Sequence, residues 1–396
     1  MILQDFPPMG VYETLFKFAD ATSNYMGEPG THPWAQGFPL TTQLPGGPPI
    51  PDTIKLTPDD LKYPKATGNV ELRRALAAYF NEFYDAGIDE GHVAVFAGGR
   101  PGILATLAFL QPETTIVVEE TEYTPYYDML ERLGRSYTLI PSNESNRFRP
   151  TADDHEAALK AAGKQVMLLK SNPCNPTGVA TQGDDLKQLV ERVSRPGRGA
   201  LFDEAYEFYC DPQPESTLRY IKDIDATDIF VIGAATKGLQ VPGARVGWAV
   251  AAKKHIEIFR NYSSFGMGGV SRASQILVTE LLELDRARQA REAVRTYYSS
   301  QRRAYGRALV ELGLELHTGE GGFYHWGRLP GDLTADRFNE RLFAHNAGIL
   351  PGPLCDMKRR KGTDGPLSRY IRFSFGPLAA ESFDENVAIL KNCLSG

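Results

Sequence analysis

The sequence has no basic leader followed by an apolar stretch, and no run of about eighteen apolar residues free of charges or turn formers. Neither a secretory signal nor a membrane-spanning helix is read from it, and a cytoplasmic protein is expected. Cysteine is scarce: Cys174, Cys210, Cys355 and Cys393 stand far apart with no Cys-x-x-Cys pair, which excludes a disulfide framework or zinc ribbon as the organising principle. The seven histidines are equally scattered, without a metal-ligand spacing, so no metal site is expected. A basic excess is missing too; the net charge of −6 argues against nucleic acid and anionic membrane as partners. Low-complexity tracts are absent, and with them the signature of disorder.

What remains is a chain of 396 residues, 42% hydrophobic, long enough for a large domain and a smaller one with a cleft between them. Residues 27–53 are dense in Gly and Pro and carry Trp34, Phe38 and Leu40, which predicts an extended arm laid over a domain or a neighbouring subunit. From Asn69, a candidate N-cap, Leu72, Leu76, Tyr79, Phe80 and Phe83 recur at helical spacing up to Gly87. Short β-rich runs then alternate with helical stretches: HVAVFAG, TTIVVEE, QVMLLKS, GALFDEA, DIFVIGA and VGWAVAA. That alternation predicts an α/β fold with a mostly parallel central sheet flanked by helices. One long helical pattern follows over about 271–312, and the remainder mixes strands and helices as a smaller α+β domain would.

Open α/β sheets bind ligands beyond the carboxyl ends of their strands, so the residues after each β run carry the chemistry. After HVAVFA come Gly98, Gly99 and Arg100 before a helical stretch, where free backbone N–H groups can hold a phosphate; a plain strand-to-helix turn would look the same. It is neither a GxGxxG nor a P-loop fingerprint. After TTIVVEE come Tyr123, Tyr126 and Tyr127, able to stack on a planar ring or to pack in a core. After MLLKS the segment NPCNPTG holds side-chain amides on a rigid turn. Asp203 follows GALF and Lys237 follows DIFVIGA. Each is costly at a buried strand end unless paired, with a structural ion pair among Asp203, Lys237 and Arg245 as the simple alternative. Together these groups match what pyridoxal phosphate requires: a lysine for its aldehyde, a carboxylate for its ring nitrogen, donors for its phenolate oxygen, a stacking aromatic and a phosphate cup.

At this point NPCNPTG, DEAY and TKGLQVPGARVG, in this order and spacing, resemble the fold-type-I pyridoxal-phosphate enzymes. The resemblance is closest to the class I/II aminotransferase family related to aspartate and kynurenine aminotransferases. It implies a large cofactor-binding domain over 51–285 and a small domain over 286–396, with an arm over 1–50 belonging to the small one. It implies that Lys237 is the Schiff-base lysine, that Asp203 partners the ring nitrogen, and that Asn175 and Tyr206 bind the phenolate oxygen. It implies that Tyr123 stacks, and that Gly99, Arg100, Thr236 and Arg245 hold the phosphate. YPKATGNVELR resembles the segment whose tyrosine, here Tyr63, reaches the neighbouring subunit's phosphate, which implies a homodimer with shared active sites.

YIRFSFG likewise implies that Arg372 grips the substrate carboxylate, with Asn175 beside it, and Gly27 of GEP resembles the strand that closes over substrate. Arg272, Tyr25, Trp34, Phe265 and Phe323 are further candidates for the side-chain pocket. The sequence departs from the family at Ala234, where a serine is common, and at Thr121, where a proline is. The expected reaction is transfer of an amino group between an L-amino acid and a 2-oxo acid. Its alternative is lyase, cyclase or decarboxylase chemistry on an amino acid or S-adenosylmethionine, similar to aminocyclopropane-carboxylate synthase. A pyridoxal-phosphate-binding regulator would require a basic DNA-binding module, and no such segment precedes Gly27.

Overall fold

The computed structural model describes residues 2–3 and 5–395. The β-rich runs become β1 (Val93–Phe96) and β2 (Thr115–Glu119), then β4 (Val166–Ser171), β5 (Arg198–Asp203), β6 (Ile229–Ala234) and β7 (Gly247–Val250). Tyr137–Ile140 adds β3, an edge strand with one fully buried residue, whose weak apolar pattern leaves it unmarked in the sequence. They form a seven-stranded sheet in the order β1-β7-β6-β5-β4-β2-β3. Strands β2 to β6 run parallel, and β7 alone is antiparallel to both its neighbours.

Successive side chains of a strand face opposite sides of a sheet, and here parity divides the core. Val166, Leu168, Phe202 and Val231 belong to one apolar cluster, Met167, Leu169, Leu201 and Ile232 to the other. The α-helices up to residue 311 are α1 (Val11–Thr22), α2 (Val70–Tyr84), α3 (Gly99–Phe109), α4 (Thr124–Leu133), α5 (Ala152–Ala162), α6 (Gly183–Val193), α7 (Lys253–Tyr262), α8 (Arg272–Leu281) and α9 (Leu284–Glu311), of which α1 packs away from the large sheet, in a third apolar cluster with Trp326, Leu350 and Tyr370. Helices α3, α4 and α7 cover one face and α2, α5, α6, α8 and α9 the other, so both faces are dry, as a parallel sheet requires. A second, antiparallel sheet in the order β10-β11-β9-β8 is made of β8 (Glu315–Leu316), β9 (Tyr324–Arg328), β10 (Leu350–Pro351) and β11 (Tyr370–Ser374). It carries α10 (Ala335–Phe343) and α11 (Phe383–Ser395).

Two helix expectations are modified. Helix α2 stops at Tyr84, with Asp85 left-handed at φ 54°, and Asn69 precedes it without a side-chain cap. The long pattern over 271–312 is two helices, because the Glu283 carboxylate accepts the N–H groups of Asp285 and Arg286 (3.2 and 2.9 Å) and so starts α9 afresh. The Gly/Pro-rich arm lies across its own chain. Trp34 is fully buried and donates to Asn386 Oδ1 (2.9 Å), while Gln240 donates to the carbonyls of Leu40 and Thr42.

Candidate active site

The carboxyl ends of β2, β4, β5 and β6 face the second sheet across a cavity of about 440 Å³. It gathers Gly99, Arg100, Tyr123, Asn175, Asp203, Tyr206, Thr236, Lys237, Arg245 and Arg372, drawn from segments up to 273 residues apart (372 − 99). Most stand at or just after the carboxyl end of a strand, Asp203 closing β5 and Asn175, Tyr206, Thr236 and Lys237 lying in the turns that follow, whereas Arg372 sits mid-strand in β11 and Arg245 precedes β7.

After β4, the two asparagines of NPCNPTG divide the work. Asn172 locks the loop, its amide bonding Thr181 at both ends (3.0 and 2.8 Å), whereas Asn175 lies in the cavity and accepts a hydrogen bond from Arg372 Nη1 (2.8 Å). Gly178 is left-handed at φ 71° and could carry no Cβ, which would fall 2.6 Å from the Gly321 carbonyl. Arg372 also donates to the Ala35 carbonyl (2.6 Å) and lies 4.2 Å from the Tyr324 ring centre. After β1, α3 opens at Gly99, so that the first turn of the helix, with its N–H groups lacking intrahelical partners, lines the cavity through Gly99 and Arg100, and Arg100 Nε donates to the Tyr123 hydroxyl (2.7 Å). Gly98 has φ 102°, and a Cβ there would meet Arg245 Nη2 at 2.5 Å; the glycine lets the guanidinium lie against the loop.

The simple ion-pair alternative is not what the side chains do. Asp203 accepts hydrogen bonds from the Tyr126 hydroxyl (3.1 Å) and the Ala205 N–H (3.2 Å), and Lys237 Nζ donates to the Gly37 carbonyl. Burial is the largest influence on both. It pushes the Asp203 carboxyl up, against its two hydrogen bonds and the Lys237 and Arg100 charges. It brings the Lys237 ammonium down to about 7, helped by the nearby Arg372 and Arg100 charges. Tyr206 shares a hydrogen bond with the Tyr324 hydroxyl, and its phenol is held well above the usual range, first by burial and then by Tyr324.

Some expected residues lie elsewhere. Gly27 is outside the cavity lining; the arm reaches the site ten residues later, through Gly37 and Phe38. Both glycines stand two residues before a proline, so the sequence alone does not choose between them. Tyr63 is 94% exposed and does not line the cavity of its own chain. Arg272, paired with Asp60 at 3.1 Å, and Tyr25, Trp34, Phe265 and Phe323 are not in the lining either. In their place stand Val11 and Tyr12 from α1, Leu350 and Tyr324. The spacing of Val11, Leu15 and Phe18, which pack together in one cluster, is the signal that could have revealed α1.

The sequence model of aminotransferase class I and II matches residues 40–375. The chain belongs to this family. Family members use pyridoxal phosphate, and the protein is a pyridoxal-phosphate-dependent transferase with an aminotransferase fold. It is 27% identical to an L-glutamine–4-(methylsulfanyl)-2-oxobutanoate aminotransferase of Bacillus subtilis, over 74% of each chain. It is 26% identical to an LL-diaminopimelate aminotransferase of Aquifex aeolicus, over 75% of this chain and 76% of that one. Among solved structures, an aspartate aminotransferase mutant of Thermus thermophilus in complex with tryptophan superposes with a TM-score of 0.80 at 21% identity, covering 99% of this chain and 98% of the other.

The residues of this aminotransferase fit the cofactor. A planar ring needs a face, an acid at its nitrogen and an amine at its aldehyde, and Tyr123, Asp203 and Lys237 line one cavity, the last two free of each other. The phosphate needs charge and N–H donors, and the α3 N-terminus, Arg100 and Arg245 supply both. Ala234 lines the cavity where the family commonly has a serine, so Thr236 beside it is the hydroxyl available from that turn.

Proposed function

We propose that this aminotransferase moves an amino group between an L-amino acid and a 2-oxo acid. The observation that carries this reading is that the buried Asp203 and the half-buried Lys237 share one cavity without pairing, each held instead by neutral groups. When bound, pyridoxal phosphate draws electrons from the substrate Cα and loosens its bonds. Lys237 Nζ is the amine that would hold the cofactor at its aldehyde carbon and, once freed by the substrate amine, would serve as the base that takes the Cα proton and returns it to that carbon. Asp203 keeps the ring nitrogen protonated. Tyr206 and Asn175 donate to the phenolate oxygen; because Asn175 gives Oδ1 to Arg372, its Nδ2 is the end left to donate. Tyr123 stacks, and Gly99, Arg100, Thr236 and Arg245 hold the phosphate.

Arg372 takes the substrate carboxylate with two parallel hydrogen bonds. The assembly is a homodimer in which the exposed Tyr63 completes the phosphate site of a second copy. Unpaired cysteines at all four positions accord with a reducing, cytoplasmic setting. Transamination is preferred to elimination, decarboxylation or cyclisation because the similar curated proteins quoted above are aminotransferases by name.

The test is a single-turnover titration of the cofactor-loaded protein with a panel of amino acids and S-adenosylmethionine, with product masses recorded. The expected outcome is stoichiometric pyridoxamine phosphate and a 2-oxo acid from at least one amino acid, and neither from Lys237→Ala. An eliminated, decarboxylated or cyclised product with the cofactor unchanged would overturn transamination.

A further inference from the structure

Two glutamates three residues apart, Glu119 and Glu122, enter the interior where β2 passes toward α4, at 1% and 0% exposure. Their neighbours treat them differently. Glu119 Oε1 takes the Lys170 ammonium from β4 and stands 3.3 Å from His155 Nε2 on α5. Burial opposes its charge, but Lys170 and His155 hold its carboxyl below the ordinary range. Among the described residues, no cation forms an ion pair with Glu122. Its Oε1 accepts the Ser171 N–H (2.8 Å), and its Oε2 accepts the Ser171 hydroxyl (2.6 Å) and the Tyr123 N–H (2.7 Å). Burial first and the Glu119 charge second push this carboxyl up, against Lys170 and the hydrogen bonds. Charge balance therefore does not account for Glu122; its bonds do.

Those bonds join two strand ends of the cavity. On one side Tyr123 follows Glu122 directly, and its hydroxyl accepts from Arg100. On the other, the Ser171 hydroxyl oxygen accepts the Asn175 N–H (3.1 Å), and Asn175 in turn holds Arg372. We propose that Glu122 is a positioning residue that ties the strand end bearing Tyr123 to the one bearing Ser171 and Asn175, and so fixes the gap into which the cofactor ring fits. This role rests on the functional reading above. Both carboxylate oxygens accept, so an amide of the same shape presents N–H to a donor whichever way it turns, to Ser171 on one side or to Tyr123 on the other.

The test compares Glu122→Gln with Glu204→Gln in cofactor-free protein. Glu204 is also buried beside the site, but it accepts from the Ser216 hydroxyl and the Thr217 N–H and does not line the cavity. The probe is pyridoxamine phosphate, which cannot bond Lys237, followed by fluorescence, with Tm recorded for each variant. Glu122→Gln is expected to weaken binding about ten-fold or more and Glu204→Gln less than about two-fold, the size of one hydrogen-bonded link. Equal effects in the two variants would mark a general loosening and overturn the positioning role. If Glu122→Gln does not fold, Ser171→Ala, which cuts the hydroxyl link to Glu122 and Asn175, must show the selective loss, and unchanged affinity there overturns it. A wild-type protein that binds no pyridoxamine phosphate would overturn the functional reading itself; normal wild-type binding with an unaffected Glu122→Gln would overturn only this one.

Discussion

Lys237 has an amine that burial and the Arg372 and Arg100 charges bring down to about 7. Only the unprotonated Nζ can bond an aldehyde, so uptake of pyridoxal phosphate by the cofactor-free protein should accelerate with pH up to that point and then level off. Stopped-flow absorbance is expected to show a rise of about thirty-fold from pH 5.5 to 8.5, nearly complete by pH 8. A rate still climbing ten-fold per unit at pH 8.5 would belong to an ordinary, exposed lysine. Cavity-lining residues were legible in the sequence where chemistry is costly, as at Asp203 and Lys237, because such groups at strand ends need a reason to be there; Arg372, inside β11, was legible only through the resemblance carried by YIRFSFG. Gly27 and Gly37 were not separable that way. What distinguishes them is a neighbour 287 positions away (324 − 37): a Cβ on Gly37 would fall 2.2 Å from the Tyr324 hydroxyl.

At the level of elements, the strands of the large sheet other than β3 announced themselves by β-branched runs between turn formers, and the antiparallel turn of β7 did not, since period and composition carry no direction. The break between α8 and α9 hid for a related reason: Glu283 is a good helix former whose carboxylate caps only in this backbone geometry. Beyond the end of β5, Glu204 supplies a measurable signature. Burial, its largest influence, pushes this carboxyl up to about 8 against the hydrogen bonds from Ser216 and Thr217. Between the unfolded value near 4.5 and about 8 the folded state keeps a proton that the unfolded state loses, so its stabilising contribution is full below that window and lost as pH rises through it. Urea unfolding from pH 4.5 to 8.5 should therefore show wild type losing roughly 3–5 kcal/mol relative to Glu204→Gln. A difference independent of pH would mean that Glu204 is already ionised in the fold.

For the molecule as a whole, a shared active site makes a sharper claim than dimerisation alone. Lys237→Ala and Tyr63→Ala damage opposite halves of a proposed pair of sites, so a mixed dimer would hold one intact site and one doubly damaged one. Random subunit exchange between the two variants should restore roughly a quarter of wild-type activity, half the dimers being mixed. No recovery despite exchange, followed by mass spectrometry, would confine each site to one chain. Within a chain, the two sheets are less separate than their strand orders imply. Val294, Tyr298, Tyr305 and Leu309 on α9 lie in the same apolar cluster as Val166 and Phe202 of the large sheet and Phe373 of the small one. Severed ahead of α9, the chain would yield two fragments that each bare a strip of aromatic and aliphatic side chains, and neither would stay in solution unaided. The cleft is thus a groove in one continuous interior, and its two walls stand or fall together.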